Sequence, residues 1–218
     1  MLSFNYENCG TVIRRRRKLS MREVMTSKLS SAVNTAFNTY GSYTTSAIPT
    51  DTERYVFVDK EENESIDIEE AGKYSVFDIA DWFLAKGPMT QKKVQKLCYY
   101  AQAWAFALKG YRLMDTDFQA WVHGPVSPAL WEKFKAFGYD SISIKTKRHI
   151  KLDEEDIELL EDVWDTYGDS TGNALEALSH RELPWIEARK GYGPEERCTM
   201  VISPETMATY YKSIYSGD

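Results

Sequence analysis

Two of the three histidines in the sequence, His123 and His180, have neighbours with which they could carry acid–base or metal chemistry. His123 has Asp117 as a nearby carboxylate, and His180 has Glu182. A catalytic or metal site needs several such groups within hydrogen-bond or ligand distance, but the chain has no HExxH or HxH pattern and no closely spaced cysteine pair. Each histidine lies beside proline and tryptophan, where an imidazole commonly bonds a backbone carbonyl. We therefore predict structural histidines, no catalytic residues, no bound metal and no cofactor.

The residues around these histidines are expected to set the backbone. Gly124 permits a turn that other residues avoid, and Pro125 and Pro184 fix the direction of the chain. Trp121 and Trp185 are predicted to be core anchors, and ligand stacking is the alternative for both.

One long helix must position these turns. Thr90 is a good N-cap and Gly110 a good stop, and between them apolar residues recur at helical spacing. That stripe consists of Val94, Leu97, Cys98, Ala101, Trp104, Ala105 and Leu108, whereas Lys92, Lys93, Lys96 and Gln102 lie off it. A strand over residues 118–122 and a turn over residues 123–125 are predicted after the helix. We expect this region to be the packing centre of the protein.

Two aromatic residues of this helix, Tyr99 and Phe106, do not fit easily on one stripe with Tyr100. Tyrosine is enriched where one end of the ring is buried and the other is wet, as at protein interfaces. We therefore hypothesise that Tyr99 and Phe106 bind a partner. The alternative is that a helix surrounded on several sides buries all of them.

Start and stop signals predict six further helices around the central one. They run from Ser75 to about Gly87, from Ser127 to Gly138, from Asp153 to Gly168, from just after Ser170, over residues 184–190 and from Ser203 onward. The helix after Asp153 is expected to turn Ile157, Leu160, Val163 and Trp164 inward. A second short strand is predicted within residues 141–150. The fold class is therefore mainly α: a compact multi-helix domain with a short two-stranded β element.

An N-terminal extension precedes this domain. Residues 1–50 hold fourteen Ser or Thr, the basic block 14–18, and a capping box from Ser20 to Glu23. The pattern predicts one amphipathic helix over residues 21–38, which must cover its apolar face because it is not stable alone in water. We hypothesise that this face binds a partner through Met21, Val24, Met25, Leu29 and Val33. A transit peptide and initiation at Met21 or Met25 stay open as other interpretations of this arm.

Charge separates the arm from the rest of the chain. Residues 1–50 carry a formal charge of +5 and the remaining residues −11, and residues 59–70 hold seven acidic residues and one lysine. A short strand over residues 54–58, a solvated linker after it and a domain boundary near Gly72 are predicted, which gives an extension over 1–72 and a helical domain over 73–218. The acidic domain makes nucleic-acid binding by that domain unlikely, although the basic arm leaves it open there.

Composition sets the compartment and the size of the core. The chain has 218 residues, of which 43% are hydrophobic, and all six Trp lie between Trp82 and Trp185. No window approaches the roughly 20 consecutive apolar residues that a membrane span needs. The three widely spaced cysteines indicate a reducing compartment. We expect a cytoplasmic protein that does not enter a membrane, with Cys98 buried as a small apolar residue.

Three motifs of the helical domain resemble a known family, the Panacea domain (the SocA-like, GepA-type antitoxin domain of bacteria and phages). The motifs are VQKLCYYAQAW from Val94, FQAWVHGPVSP from Phe118 and LSHRELPW from Leu178, preceded by the start DIADWF at Asp78. The resemblance runs from about Tyr74 to the end of the sequence. It implies structural roles for Gln95, Lys96, Leu97, Tyr100, Trp121, Gly124, Pro125, His180, Pro184 and Trp185.

The resemblance also implies a function: an antitoxin that neutralises a cognate protein toxin by direct binding. Panacea domains accompany unrelated toxin folds, among them alarmone-synthetase-type enzymes, so the domain does not name its toxin. A proteolytic adaptor that delivers its partner to a protease is the first alternative, and a nucleic-acid-binding autoregulator acting through the basic arm is the second. An enzyme built on His123 and His180 ranks last. The sequence leaves open the stoichiometry, homo-oligomer formation, and a phage or bacterial host.

Overall fold

The computed structural model describes residues 71–143 and 150–216. The amphipathic helix over 21–38, the strand over 54–58 and the acidic linker over 59–70 lie outside this part, and so do residues 144–149. The prediction of a mainly α, multi-helix domain is confirmed. None of the helices in the described ranges is long and apolar enough to span a membrane.

Seven α-helices and four short strands make up the described residues. The helices are α1 (Val76–Leu84), α2 (Gln91–Lys109), α3 (Pro128–Phe134), α4 (Glu154–Tyr167), α5 (Gly172–Ser179), α6 (Leu183–Ala188) and α7 (Pro204–Ser216). The strands are β1 (Met89–Thr90), β2 (Gln119–Trp121), β3 (Gly124–Val126) and β4 (Ser141–Ile142), and a 3₁₀ turn over Lys135–Phe137 extends α3.

Most helix starts follow from the capping residues in the sequence. Ser75, Thr90 and Ser127 each accept a hydrogen bond from a backbone N–H in the first turn of α1, α2 and α3. Gly110 ends α2 with a φ of 75°, a left-handed conformation that glycine adopts without strain. The helix predicted after Ser170 begins one residue later than expected, because Thr171 caps α5 instead.

The central helix α2 is buried on almost every side. It packs against α1, α4, α5, α7 and strand β3, and its stripe residues from Val94 to Ala105 are all buried. Lys96 and Gln102, which lie off the stripe, are buried as well. Tyr99 and Phe106 have exposed fractions of 0% and 2%. The hypothesis that these two aromatic residues offer a surface to a partner is therefore wrong, since the surrounded helix buries them in the core.

The β structure differs from the predicted single element. The strand predicted over residues 118–122 is present as β2, but its antiparallel partner is β3, with Gln119 opposite Val126 and Trp121 opposite Gly124. Gly124 and Pro125 are therefore strand residues, although the sequence placed them in a turn. The strand predicted within 141–150 is limited to β4 in the described part, and it pairs with β1 through Met89 opposite Ile142.

Helix α4 turns a different face to the core than predicted. Leu160 and Val163 are buried as expected, but Ile157 is 37% exposed, so that part of the prediction is wrong. The neighbouring Asp156 is buried instead. Its Oδ2 accepts hydrogen bonds from Lys73 Nζ at 2.6 Å and from Tyr74 OH at 2.7 Å, which ties the start of the described domain to α4.

Candidate functional site

The four residues that could have formed a catalytic or metal site have separate partners. Asp117 pairs with Arg112, with 2.8 Å between Oδ1 and Nη1. His123 Nδ1 lies 2.8 Å from Glu176 Oε1, and Glu182 bonds two tyrosines. Within residues 71–143 and 150–216, no three His, Cys, Asp or Glu side chains are grouped to hold a metal ion.

The two histidines have different surroundings. The His123 side chain is 72% exposed and contacts a carboxylate, so the expectation that its imidazole bonds a backbone carbonyl is wrong. The His180 ring stacks on Trp185 at a centroid distance of 4.1 Å and an interplanar angle of 19°. Burial lowers the pKa of His180, which favours the neutral ring in this stack.

A buried lysine fastens the β2–β3 hairpin to α2. Lys96 Nζ donates to the carbonyl oxygens of His123 at 2.6 Å and Pro125 at 3.0 Å. Gly124, between those two residues, has a φ of 90°. A Cβ at this position would lie 2.8 Å from Lys96 Cε, Lys96 Nζ and Ser179 Oγ. Glycine is therefore required both by the backbone conformation and by the approach of the ammonium group.

Gln95, the residue before this lysine, makes the second link to the hairpin. Its Nε2 donates to Ser127 O at 3.1 Å, and its Oε1 accepts from Ser127 N at 2.8 Å. This pair satisfies the backbone of the residue that caps α3. Burial lowers the pKa of Lys96 to about 7, so its two carbonyl partners must compensate for the loss of hydration.

Glu176 on α5 is a site residue that the sequence did not reveal. Its carboxylate contacts Lys92 Nζ at 2.5 Å and His123 Nδ1 at 2.8 Å. Burial acts to raise the pKa of Glu176, but the hydrogen bonds from Lys92 and His123 outweigh it and hold the pKa below its usual value. Glu176 thus joins α2, α5 and the hairpin turn.

A second buried polar group, Glu182, contacts α2 through Tyr100, one helical turn after Lys96. Glu182 Oε2 accepts hydrogen bonds from Tyr211 OH at 2.8 Å and Tyr100 OH at 3.1 Å. Tyr100 also stacks on Tyr167 with a centroid distance of 4.0 Å. Burial raises the pKa of Glu182 to about 8, although the two tyrosine hydroxyls act against this rise. The side chain is therefore mostly a neutral acid at pH 7.

A cavity of about 1080 Å³ opens between α2, the β2–β3 hairpin, α3 and the start of α5. Its described lining comprises Thr90, Gln91, Lys92, Gln95, Lys96, Trp121, Val122, His123, Val126, Trp131, Lys135, Gly138, Tyr139, Thr171, Gly172, Asn173, Arg197 and Cys198. Trp121 is only half-buried and lies in the wall, so its prediction as a core anchor is wrong. Trp185 is also half-buried, with Nε1 donating to Trp121 O at 3.0 Å.

A group of exposed apolar side chains lies beyond β2. Residues 200–202 run along the free edge of β2, with Ala120 N donating to Met200 O at 2.9 Å. Arg189, which follows α6, donates to Ala120 O at 2.9 Å and so joins that helix to the same strand. Five apolar residues of α6 and of the segment that follows it are between 38% and 51% exposed, whereas Ile202 is buried. We call them the apolar corner: Leu183, Ile186, Tyr192, Met200 and Val201.

Comparisons with known proteins point to one family. Residues 94–186 match the family model described as "Antitoxin SocA-like, Panacea domain". The chain is also similar to Antitoxin SocA of Caulobacter vibrioides (strain NA1000 / CB15N), with 31% identity over 118 residues, which cover 49% of this chain and 63% of the relative. It thus spans less than two thirds of the length of that relative. No solved structure matches it.

Proposed function

We propose that the protein is the antitoxin of a toxin–antitoxin pair, because residues 94–186 match the family model described as "Antitoxin SocA-like, Panacea domain". It neutralises a cognate protein toxin in the cytoplasm by binding it directly. The observation that carries the proposal is this family match, which contains all three sequence motifs in full, whereas the start DIADWF at Asp78 lies before the matched residues.

The polar groups of the domain favour binding over catalysis. A catalytic site brings an acid, a base or a nucleophile within hydrogen-bond reach of a common reacting atom. In the described ranges, Lys96 and Glu182 are both buried but have different hydrogen-bond partners. Lys96 donates to carbonyl oxygens of the hairpin, whereas Glu182 accepts from tyrosine hydroxyls. Both arrangements stabilise the fold. An antitoxin that inhibits its toxin by occlusion needs a stable binding surface and no reactive groups.

We propose the apolar corner as one contact surface for the toxin. Interfaces bury a small apolar centre within a polar rim, and a few anchors carry most of the binding energy. Ile186 and Met200 are 44% and 51% exposed, and the charged residues Glu187 and Lys190 follow Ile186 in the sequence. The underlying backbone is held by Arg189, which donates to four carbonyl oxygens, so the surface is rigid before the partner arrives.

Replacing Ile186 and Met200 with Asp should weaken toxin binding by about 30-fold or more, the effect of losing interface anchors. The melting temperature should stay close to that of wild type, because both side chains are exposed. Affinity is measured against the purified product of the neighbouring toxin gene, with growth rescue in cells that express it. Ile157→Asp, at an exposed apolar position on α4, is the matched control and should bind normally.

The same purified components separate direct neutralisation from delivery to a protease. An antitoxin that acts by occlusion inhibits its toxin in a reaction without any protease. Inhibition that appears only after a protease is added would make the protein an adaptor. If the product of the neighbouring gene does not inhibit growth, that result would count against both the direct antitoxin and the proteolytic adaptor.

The N-terminal arm is proposed as a second contact. Its apolar residues lie outside the described ranges, and the sequence gives them helical spacing beside the basic block 14–18. Positive charge next to an apolar face can accelerate association with an acidic partner. Removal of residues 1–50 should therefore leave a folded domain with weaker toxin binding, and the loss should be smaller at high salt.

Circular dichroism melting and toxin affinity, measured on the same truncated protein, test this prediction. The expected result is an unchanged melting curve with reduced affinity. A protein that melts like wild type and binds just as tightly shows that the arm is dispensable. A protein that melts at a lower temperature shows that the arm packs on its own domain.

A further inference from the structure

We propose that the cavity between α2, the β2–β3 hairpin and α5 binds a small ligand that combines a planar ring with phosphate, a nucleoside phosphate. This inference does not depend on the proposed function, because it rests on the lining of the cavity alone. The site is distinct from the apolar corner, which shares no lining residue with it.

The size of the cavity fits such a ligand. Small-molecule sites commonly enclose about 300–1,000 Å³ and combine apolar walls with a few polar groups that orient the ligand. The volume here is about 1080 Å³, just above that range. A nucleoside phosphate fits this space with its ring against one wall and its phosphate against another.

Two tryptophans form the wall that would take the ring. Trp121 and Trp131 have a centroid distance of 5.7 Å and an interplanar angle of 58°. Trp121 Nε1 donates to Gln119 Oε1 at 2.8 Å, which fixes the orientation of its ring. Trp131 is 38% exposed and has Lys135 Nζ 5.2 Å from its ring centroid, so a planar group would stack on the part of the ring that this ammonium group leaves open. Stacking of a base on an aromatic side chain contributes about 1–3 kcal/mol.

The lining of the cavity also carries cationic side chains. Lys92, Lys135 and Arg197 line the cavity, as does the buried Lys96, whose ammonium group is occupied by the hairpin carbonyls. No carboxylate lines it among the described residues. Glu176 pairs with Lys92 and Glu132 pairs with Lys135 from outside the lining. Arg197 is exposed and makes no ion pair or hydrogen bond with the described part of the chain. A guanidinium that is free in this way can bind a phosphate through two parallel hydrogen bonds.

Two features of the backbone and side chains favour phosphate and ribose specifically. The first residues of α2 and α5, Gln91 and Gly172, both line the cavity, and the unpaired amides of a helix N-terminus attract phosphate. Gln91 Oε1 is buried without a hydrogen-bond partner within the described structure. A small rotation of the Gln91 amide would let a ribose hydroxyl donate to this oxygen and remove the cost of leaving it unpaired.

Titration of the full-length protein tests the proposal. ATP, adenosine and inorganic tripolyphosphate are added separately while tryptophan fluorescence and heat are recorded. ATP should bind saturably at millimolar concentration or below. Adenosine and tripolyphosphate should each bind at least about tenfold more weakly, since each lacks one half of the ligand.

Two substitutions divide the site into its halves. Arg197→Gln should weaken ATP about tenfold and leave adenosine unchanged, because the guanidinium contacts phosphate only. Trp131→Leu should weaken ATP and adenosine and leave tripolyphosphate unchanged. Arg181→Gln removes an exposed cation outside the lining and should behave like wild type. Melting curves verify that each variant is folded.

Three results would overturn the proposal. Absence of saturable ATP binding at millimolar concentration excludes the ligand class. Equal affinity for ATP and tripolyphosphate shows a general anion surface. Binding of an acidic peptide that is lost in Trp131→Leu, without any ATP binding, shows that the cavity is a groove for a protein segment.

Discussion

A Leu97→Ala protein is expected to be about 2–5 kcal/mol less stable to unfolding than wild type, the range for deleting a buried leucine. Leu97 has an exposed fraction of 0% and lies in the middle of α2. The helix is covered by α1, α4, α5 and α7, so surrounding elements cannot move in to fill the space without disturbing one another. Most of the lost volume therefore remains as a cavity.

Chemical denaturation of wild type and Leu97→Ala measures this difference. Leu183→Ala is the matched control, because Leu183 is a leucine at the exposed start of α6. That change should alter stability by only a few tenths of a kcal/mol. Equal stability of Leu97→Ala and wild type would mean that α2 is not the centre of the core.

Glu182→Gln should change how stability depends on pH. The pKa of Glu182 is about 8 in the folded protein and 4.5 in its reference state, so the folded state binds more protons between these values. The contribution of Glu182 to the free energy of unfolding is therefore fully present below pH 4.5 and is lost as the pH rises toward 8. Between pH 5 and 7 the loss is about 2–3 kcal/mol. Because glutamine does not titrate, the variant should not show this loss.

The measurement compares the free energy of unfolding at pH 5 and pH 7 in each protein. The buried Lys96, whose pKa is lowered to about 7, changes the free energy of unfolding in the opposite direction. That change occurs mostly above pH 7, so it affects the comparison between pH 5 and pH 7 little. The stability difference between pH 5 and 7 should be smaller in Glu182→Gln than in wild type. Glu158→Gln, at an exposed position of α4, is the control. A pH difference unchanged in Glu182→Gln would show that the carboxyl is ionised in the fold.

Helix starts were predictable because a cap is a local signal. Ser75, Thr90 and Ser127 each satisfy a backbone amide two or three residues away, and no distant part of the chain is needed for this contact. The direction of each helix face was less predictable. On α4 the apolar Ile157 is exposed while Asp156 is buried, since its lysine and tyrosine partners come from more than 40 residues away.

The candidate site depended even more on distant contacts. Lys96 and Gln95 were recognised only as parts of a family motif, because a polar residue off the apolar stripe is expected to face water. Both are buried because the hairpin carbonyls and Ser127 supply their partners. The lining residues Trp131 and Arg197 come from α3 and from the loop before α7, and no local pattern in the sequence relates them.

The cover that α7 provides for α2 has a consequence during synthesis. Tyr211 of α7 places its ring 5.1 Å from Trp104 and 6.2 Å from Tyr100, yet α7 begins at Pro204, far beyond the end of α2 at Lys109. A ribosome working at about 5–20 residues per second needs roughly 5–20 s to translate the intervening stretch. Throughout that time the part of α2 that α7 covers in the finished fold has no native cover, and contacts so distant in the chain form slowly. We expect the nascent chain to be a substrate for chaperones and prone to aggregation. The yield of folded protein should then depend on chaperone capacity in the cell, and not only on the stability of the finished fold.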